Sequence, residues 1–406
     1  MICARAIGAD RLADLDLALA RLQLSNRERA ALAQTLPHFH VLLTELNDSD
    51  RAFLKGLAAS ASSLTEVSLL WGRDLKAALL SGQRDALQRL VEQARSTDPE
   101  LAAPLEAVLR ASQVVSLRLG ARTIHFGART HLMGVINVTP DSFSDGGDSL
   151  DPERAVAHGL EMVAAGADFL DLGGESTRPG AGEVEAAEEL RRILPVLRSL
   201  RAQTDVPISV DTRKAKVAEA AIELGVDLIN DVSGLHFDPE LAAVVGRSSA
   251  ACCVVHAQGL PQTMQNDPRY RDVIAEIRAF LQRSMQQAAE AGIERERILV
   301  DPGIGFGKTA DQNLYILRRL SDFRPLGRPI LVGTSRKSFL RALVGNKPPR
   351  ERLSGTLGSL AAIAVEGSAD VLRVHDVRQA KEAVAVAEAI RQADRAGELF
   401  DFGGNG

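Results

Sequence analysis

A series of short apolar stretches in this sequence each ends in a polar residue that could contact a ligand. The stretch that begins at Leu132 stops at Asn137, and the loop after it carries hydroxyl and carboxylate side chains. In chain order, the polar residues at such ends are Asn137, Asp171, Asp211, Asn230, His256, Asp301, Ser335 to Lys337, and Arg373 with His375. An isolated Asp or Asn at such a place is ordinarily a turn or capping residue. Because eight stretches share the pattern, we predict that these side chains form one site.

The charges of these residues and of their loops divide them into two groups. Donors and cations suit a phosphate or diphosphate, and arginine can bind two oxygens at once. This group contains Thr177, Arg178, Lys337, Arg373 and His375. The second group, Asp211, Asn230 and Asp301, offers acceptors that suit a flat, donor-rich heterocycle such as an aminopyrimidinone, because a buried carboxylate without a partner is costly. Asn137 supplies an oxygen for a hydrated Mg²⁺ that accompanies a diphosphate, since this ion takes few protein ligands.

Two familiar motifs are only partly present. PGIGFGKT at 302–309 ends like a phosphate-binding P-loop, but Pro302 stands where that motif requires glycine. GES at 174–176 begins like the nucleophile elbow of a hydrolase, but Arg178 stands where the closing glycine should be. The sequence therefore favours neither nucleotide hydrolysis nor a serine nucleophile.

The apolar stretches themselves predict buried parallel strands that would position these residues. They are continuous rather than alternating, as expected for strands that are covered on both faces. The eight candidates are residues 132–137, 168–173, 207–211, 226–230, 251–256, 297–301, 329–333 and 370–374. Helical segments separate them, and eight such units match the roughly 250 residues of an α/β fold, the closed (β/α)8 TIM barrel. A doubly wound open sheet is the alternative, and in both folds ligands bind at the carboxyl ends of the strands.

The joints between helices and strands repeat as well. Gly166, Gly225 and Gly367 are each followed within three residues by an aspartate, and glycine readily takes the left-handed conformation that ends a helix. At the first helix of the repeat, Asp151 is expected to cap and Pro152 to occupy the first turn. The side chains expected on one face of that helix are Val156, Leu160 and Val163.

Residues 1–115 lie before the repeat and carry no catalytic constellation. They are rich in Ala and Leu at helical spacing, so we predict a mainly helical accessory domain that serves packing or partner contact. One strand-like stretch lies at 66–72. Leu80 is expected to lie on a helix, and Ser81 to cap its second half.

A hairpin is predicted between this domain and the barrel. Residues 116–130 combine β-favouring side chains with Gly120 at a turn. We expect them to form a lid or lead-in to the barrel, which would span 131–395.

Composition excludes several classes of protein. The 406 residues are 45% hydrophobic and 25% charged with a net charge of −5, so we expect no nucleic-acid partner and no membrane partner. Asp10 lies where a signal peptide would need apolar residues, and no apolar run approaches the roughly 18 residues of a membrane span. Cys3, Cys252 and Cys253 lack metal-ligand spacing and are expected to be reduced core residues. We therefore expect a cytoplasmic protein.

The ordered motifs resemble those of the dihydropteroate synthase family. They are MGVINVTPDSFSDGG, DLGGESTRPGA, SVDT, INDVSG, VDPGIGFGK, GTSRKS, RLSGTLG and RVHDV, all within residues 131–390. The resemblance implies a (β/α)8 barrel, usually a homodimer. It also implies a transferase that joins 4-aminobenzoate to 6-hydroxymethyl-7,8-dihydropterin diphosphate with Mg²⁺ and releases pyrophosphate. This reaction of folate biosynthesis is the target of sulfonamide drugs.

The resemblance also implies a role for individual residues. The pterin would be bound by Asp211, Asn230, Asp301 and Lys337, and the metal by Asn137. The diphosphate would face Thr177, Arg178, Arg373 and His375. The aminobenzoate pocket would contain Phe143, Pro179, Phe306 and Ser338. The catalytic residues would be Arg178, Lys337, Arg373 and His375, and the loops 139–147 and 174–182 would close over the substrates to exclude water.

Two rival functions and two departures from the family pattern accompany this hypothesis. A pterin-dependent methyltransferase would not need the diphosphate-facing residues, and a noncatalytic paralogue would only bind pterin or a protein partner. Ala257 beside His256, and Gln312, stand where the family often has other residues. They bear on substrate affinity more than on the reaction type.

Overall fold

The computed structural model describes most of the chain. The described residues are 3–7, 39–44, 46–59, 67–71, 78–82, 84–111, 115–139, 151–176, 182–259, 264–265 and 267–393. The chain divides into two compact units, one of Met1–Gln113 with Arg324–Gly327 and Asp394–Gly406, the other of Val114–Phe323 and Arg328–Ala393. No helix among the described residues is long and apolar enough to cross a membrane.

The first unit contains an antiparallel sheet as well as helices. Its strands are β1 (Cys3–Ile7), β2 (Phe39–Thr44), β3 (Val67–Trp71) and β4 (Ala78–Gly82), in the order β1-β2-β4-β3. Its helices are α1 (Asp48–Ala59), α2 (Arg84–Thr97) and α3 (Pro99–Ala111). Buried aliphatic side chains from both, among them Leu43, Leu54 and Leu87, form its core.

The strand predicted at 66–72 is confirmed as β3, but the helix predicted around Leu80 is wrong. Leu80 and Ser81 lie in β4, and α2 begins only at Arg84. Leu80 is buried, and its partners in the strand register are Val41 of β2 and Leu69 of β3. These partners are distant in the sequence, so the local helical spacing did not reveal them.

The predicted hairpin is confirmed, with strands β5 (Ser116–Leu119) and β6 (Arg122–His125). Gly120 at its turn has φ +58°, a left-handed conformation. Leu117 and Phe126 are buried in the lower core of the barrel. The Gly120 amide also donates to the carbonyl of Ser249, at 3.2 Å, just before a barrel strand begins. The hairpin therefore closes the amino end of the barrel, and the expectation of a lid is wrong.

Eight parallel strands form the barrel, at the positions that the sequence predicts. They are β7 (His131–Asn137), β8 (Phe169–Gly173), β9 (Ile208–Asp211), β10 (Leu228–Asp231), β11 (Ala251–Val255), β12 (Ile298–Asp301), β13 (Leu331–Val332) and β14 (Val371–Val374). Their order is β12-β11-β10-β9-β8-β7-β14-β13. A parallel bridge between Val300 and Ile330 joins the two ends of this order. The closed barrel is confirmed, and the open doubly wound sheet is excluded.

Helices surround the strands. The α-helices are α4 (Pro152–Ala164), α5 (Ala186–Arg201), α6 (Ala215–Glu223), α7 (Leu241–Gly246), α8 (Val273–Glu290), α9 (Ala310–Arg318), α10 (Arg341–Val344), α11 (Leu353–Glu366) and α12 (Val377–Gln392). Short 3₁₀ helices lie at Arg295–Arg297, Leu320–Leu326, Ser338–Leu340 and Pro349–Glu351.

Helix α4 begins as predicted but turns a somewhat different face inward. Asp151 accepts from the Arg154 amide at 3.1 Å, and Pro152 is the first helical residue. The buried side is formed by Ala155, Val156, Gly159 and Met162, whereas Leu160 and Val163 are only partly buried. A Cβ at Gly159 would lie 2.8 Å from the Ile136 side chain, so the helix approaches β7 through its glycine.

The repeated glycine–aspartate joints have a structural explanation. Gly166, Gly225 and Gly367 all have positive φ and end helices, as predicted. The aspartates that follow them bind the backbone amide of the neighbouring strand. The three bonds run from Leu132 to Asp168 (2.9 Å), from Ile208 to Asp227 (2.8 Å) and from Ile330 to Asp370 (2.7 Å). The repeat therefore fixes adjacent strands at their amino ends.

Candidate active site

The strand register places the polar residues at the carboxyl ends side by side. Asn137 pairs with Gly173, Gly173 with Asp211, and Asp211 with Asn230. A Cβ at Gly173 would lie 3.9 Å from Asn137 Oδ1 and 3.8 Å from Asp211 Cβ. Because Gly173 has no side chain, it leaves room between an amide oxygen and a carboxylate at the barrel mouth.

Arg373 reaches from β14 into this row and pairs with two carboxylates. Its Nε donates to Asp171 Oδ2 at 2.6 Å, and its terminal nitrogen donates to Asp211 Oδ2 at 2.8 Å. The Asp171 side chain is 0% exposed, that of Asp211 11% and that of Arg373 20%. Burial alone would lower the pKa of Arg373, but the two carboxylates raise it above its ordinary value. The guanidinium therefore stays charged.

Asp211 has a strongly shifted ionisation. Burial raises the pKa of its carboxyl to about 7, while Arg373 opposes the rise and Asp171 adds to it. A carboxyl that titrates near neutrality in the mouth of a barrel is typical of a functional group.

Two further acceptors complete this side of the site. Asn230 is buried, its Nδ2 donates to Asp171 Oδ2 at 3.3 Å, and its Oδ1 has no hydrogen-bond partner. Asp301 Oδ1 accepts from the Gly303 amide at 2.7 Å. Burial raises the pKa of Asp301, and Lys337 opposes the rise. Buried acceptors without donors are costly, so this wall complements a ligand rich in N–H groups.

Lys337 lies opposite these acceptors, on the loop after β13. Its ammonium donates to the carbonyl of Ile304 and lies 4.6 Å from the centre of the Phe306 ring. Burial lowers the pKa of Lys337 to about 8, with Asp301 opposing the shift. Ser338 follows directly and is exposed at the start of a short 3₁₀ helix. One cation, one carboxylate and one aromatic ring therefore meet at this part of the mouth.

His375 and Ser335 connect the last two loops. His375 Nδ1 lies 2.9 Å from Ser335 Oγ, which also accepts from the His375 amide at 3.2 Å. Arg336 has a φ of +60° and pairs with Asp376 at 2.6 Å. His375 comes directly after β14, two residues beyond Arg373.

The structure therefore assembles the described members of the predicted site at one end of the barrel. These are Asn137, Asp211, Asn230, Asp301, Phe306, Lys337, Ser338, Arg373 and His375. Arg373, which the family resemblance assigns to the diphosphate, here contacts carboxylates on the side of the pterin acceptors. Phe143, Thr177, Arg178 and Pro179 lie outside the described residues, as does most of the loop 139–147.

A buried ion cluster beside the site was not predicted from the sequence. Lys214 contacts Glu175, and its ammonium lies 2.5 Å from Glu189. Arg213 lies 3.1 Å from Glu175 and 3.6 Å from Glu183. Glu175 and Glu183 flank the segment that carries Thr177 and Arg178 in the sequence. The charges were visible in the sequence, but no spacing rule indicated that they would meet.

Lys308, the lysine of the P-loop-like motif, faces the protein interior. Its ammonium contacts His256 Nδ1 at 2.9 Å and the carbonyls of Gly303 at 2.8 Å and Phe306 at 2.9 Å. Burial lowers the pKa of His256 to about 2, so its ring is neutral and can accept this bond. Lys308 thus holds the glycine loop together and does not point toward a phosphate, which agrees with the rejection of the P-loop.

Gln312 belongs to a helix cap. Its backbone amide donates to Thr309 Oγ1 at 3.2 Å, and its side-chain Oε1 accepts from the Thr309 amide at 2.9 Å, which together form a reciprocal capping box at the start of α9. Asn313 beside it is buried and accepts from the Gly305 amide at 2.7 Å. Gln312 therefore acts on the start of the helix, and Asn313 on the shape of the glycine loop.

Metal ligands in the described residues are few. They contain no group of three or more His, Cys, Asp or Glu side chains that could hold a metal ion. Asn137 offers a single hard oxygen, which fits an ion that keeps most of its waters and reaches the site with a diphosphate.

Comparison with known proteins agrees with this arrangement. The family model for pterin binding enzymes matches residues 133–375. A dihydropteroate synthase of Synechocystis is 44% identical over 274 residues, which cover 68% of this chain and 94% of the relative. The dihydropteroate synthase of Escherichia coli K12 is 44% identical over 263 residues, which cover 65% and 92%.

Solved structures show the same barrel. The dihydropteroate synthase of Xanthomonas albilineans with 4-aminobenzoic acid is 42% identical, with a TM-score of 0.64 over 69% of this chain and 99% of that one. The dihydropteroate synthase of Burkholderia cenocepacia complexed with 7,8-dihydropteroate is also 42% identical, with a TM-score of 0.62 over 69% and 98%. A Yersinia pestis dihydropteroate synthase with a sulfonamide drug complex is 40% identical, with a TM-score of 0.64 over 68% and 100%. The chain therefore belongs to the pterin-binding enzyme family, among the dihydropteroate synthases.

Proposed function

We propose that this protein condenses 4-aminobenzoate with 6-hydroxymethyl-7,8-dihydropterin diphosphate to form 7,8-dihydropteroate and pyrophosphate. The observation that carries the proposal is a group of largely buried acceptors beside two partly buried cations in one barrel mouth. Three carboxylates, those of Asp171, Asp211 and Asp301, lie near the cations Arg373 and Lys337. With all five groups ionised, the carboxylates exceed the cations by one, which favours a ligand that develops positive charge.

The acceptors determine which part of the substrate they bind. The unpartnered Oδ1 of Asn230 and the carboxylates of Asp211 and Asp301 can accept from the paired N–H groups of an aminopyrimidinone. The ammonium of Lys337 can donate to a ring nitrogen or carbonyl on the opposite edge. This distribution orients the pterin inside the barrel, so that its methylene diphosphate points toward the mouth.

The chemistry follows from fixed charges. Breaking the bond between the pterin methylene and the diphosphate oxygen leaves positive charge that spreads into the ring, which Asp211 and Asp301 stabilise. Arg373 lies beside these carboxylates, and its charge, together with His375 after β14, would stabilise the departing anion. Charges that are arranged in advance usually make the largest catalytic contribution. The aromatic amine of 4-aminobenzoate is uncharged near neutral pH, so it can attack without a dedicated strong base.

Asn137 would hold Mg²⁺, which would supply charge neutralisation for the diphosphate. Its oxygen lies next to Gly173, at the same level of the barrel as Asp211. Phe306 and Ser338 would contact the aminobenzoate, and a sulfonamide that imitates this substrate should compete with it.

A pyrophosphate-release assay tests the function. Purified protein is incubated with both substrates and Mg²⁺, and each substrate is then omitted in turn. Release that needs both substrates is the expected result. A pterin-dependent methyltransferase or a noncatalytic paralogue would release no pyrophosphate under any of these conditions, and that outcome would contradict the proposal.

A homodimer is part of the proposal and rests on apolar side chains that the chain leaves in solvent. Val386 and Ile390, one turn apart on α12, are 62% and 59% exposed. We expect Val386→Glu to shift the protein from dimer to monomer in light scattering after size exclusion, because a charge in an apolar interface is costly. Tyr315→Glu, at an exposed side chain on α9, is the control and should leave the mass unchanged. A monomeric wild-type protein would contradict this part of the proposal.

A further inference from the structure

Asp171 lies one layer below the acceptors and contacts two of the predicted substrate-binding residues. It is fully buried near the middle of β8, where it pairs with Ser209 of β9 in the register. Its Oδ2 accepts from Arg373 Nε at 2.6 Å and from Asn230 Nδ2 at 3.3 Å. The sequence predicted Asp171 as a member of the site but assigned it to no part of the substrate.

The contact with Asn230 determines which end of that amide faces the pocket. An ionised carboxylate only accepts hydrogen bonds, so the amide must present its NH₂ group to Asp171. The carbonyl end then points the other way, and Asn230 Oδ1 is indeed buried without a partner. With the amide reversed, its oxygen would face the Asp171 carboxylate and its NH₂ group would face the pocket.

The contact with Arg373 works in the same direction. Asp171 Oδ2 accepts from the inner nitrogen of the guanidinium and also lies 2.6 Å from a terminal nitrogen, which donates to Asp211 Oδ2 at 2.8 Å. The two carboxylates together fix the plane of the guanidinium. Asp171 therefore orients both the Asn230 amide, which is a neutral acceptor, and the Arg373 guanidinium, which is a cation.

We propose that Asp171 is a positioning residue that orients the Asn230 amide as an acceptor and thereby makes the pocket selective for a ligand edge rich in N–H donors. The proposal rests on the proposed function, because that function supplies the pterin as the ligand. Asp171 itself does not touch the reacting atoms. Its effect is on recognition of the pterin, and recognition of 4-aminobenzoate should be independent of it.

The first test is Asp171→Asn, which conserves volume but removes the acceptor-only group. We expect the KM for the pterin diphosphate to rise roughly tenfold or more, because Asn230 loses the partner that fixes its orientation. The KM for 4-aminobenzoate should stay within about twofold of wild type. A general folding defect would instead lower the active fraction and leave both KM values unchanged. An unchanged KM for the pterin diphosphate in a folded variant would overturn the proposal.

The second test exchanges the two partners. In Asp171→Asn/Asn230→Asp, the amide and the carboxylate change places, so a donor again faces an acceptor and the pocket again receives an oxygen. We expect this double variant to bind the pterin diphosphate more tightly than Asn230→Asp alone, in which two carboxylates oppose each other. Equal or weaker binding by the double variant would overturn the proposal, and this comparison does not need the single Asp171 variant to fold.

Ser209→Ala is the matched control in the same layer. Ser209 is buried, and its Oγ has no hydrogen-bond partner, so removal of the hydroxyl should leave both KM values unchanged. A rise in the pterin KM equal to that of Asp171→Asn would assign the effect to packing of the layer and count against the proposal.

A wild-type protein that releases no pyrophosphate would contradict the proposed function. Retained wild-type activity with an unaffected Asp171→Asn variant would contradict only the positioning role.

Discussion

Removal of the Arg373 guanidinium should damage both the reaction and the stability of the protein. In Arg373→Gln, the carboxylates of Asp171 and Asp211 lose bonds of 2.6 and 2.8 Å to their shared cation. Breaking a buried ion pair from one side typically costs about 3–5 kcal/mol, because the remaining charge is left without a partner. The departing diphosphate also loses a cation, and a loss of about 3 kcal/mol of transition-state stabilisation corresponds to a turnover reduced roughly 150-fold.

The stability loss should depend on pH, and its sign follows from Asp211. Its folded-state pKa is already raised to about 7 by burial, and Arg373 is the main group that opposes the rise. Without Arg373 the folded pKa must increase further above the unfolded value. A carboxyl group whose pKa is higher in the folded than in the unfolded protein stabilises the folded state at pH values below its unfolded-state pKa. This contribution is lost as the pH rises through the folded-state pKa. Arg373→Gln should therefore lose much more stability at pH 8 than at pH 5.5.

Urea unfolding at these two pH values measures the loss of stability. Steady-state kinetics with both substrates saturating measure the loss of turnover. The control is Arg129→Gln, which removes the same charge from a partly exposed pair with Asp168 near the amino end of the barrel. That change should cost no more than about 1 kcal/mol and leave turnover unaltered. Two results would refute the reasoning. One is a turnover of Arg373→Gln within a few-fold of wild type, and the other is a loss of stability that is the same at both pH values.

Three further predictions concern ionisation, the ion cluster and the glycine loop. The kcat/KM for the pterin diphosphate should rise with pH as Asp211 ionises near 7 and fall as Lys337 loses its proton near 8. Asp211→Asn should remove the rise on the acidic side of this profile. A flat profile between pH 6 and 9 would contradict the prediction. Lys214→Met should lower the free energy of unfolding by about 3–5 kcal/mol because it leaves the buried Glu189 carboxylate without its cation and Glu175 with Arg213 alone, and an unchanged urea midpoint would speak against it. Gly303→Ala should give little folded protein, because the new Cβ would lie 1.8 Å from a backbone oxygen and Gly303 has a φ of +71°. Gly182→Ala is the control, since a Cβ there would meet nothing within 4 Å. Circular dichroism should show normal folding for the control alone.

Much of the fold and site could be predicted from the sequence because its signals are local. Continuous apolar stretches, helix-ending glycines and polar residues at strand ends depend only on neighbours along the chain, and eight repetitions of one unit indicate a barrel. The carboxyl-end rule then brings Asp211, Asn230, Asp301 and Arg373 to one mouth without knowledge of any distance. The ordered motifs identified the family on the same local basis.

Other features depended on partners far apart in the sequence. Leu80 lies in a strand because Val41 and Leu69 flank it, and the hairpin packs against the amino end of the barrel because Leu117 and Phe126 find an apolar core there. No local periodicity contains this information.

The sequence by itself determined the barrel, the ring of polar residues at its mouth and the family. Only the tertiary structure decided how those residues are paired: Arg373 joins Asp171 and Asp211 across separations of 202 and 162 residues, and Lys308 faces inward rather than toward a ligand. The physical reason is that a side chain's type sets which contacts are favourable, whereas strand register and loop packing set which partner lies within reach.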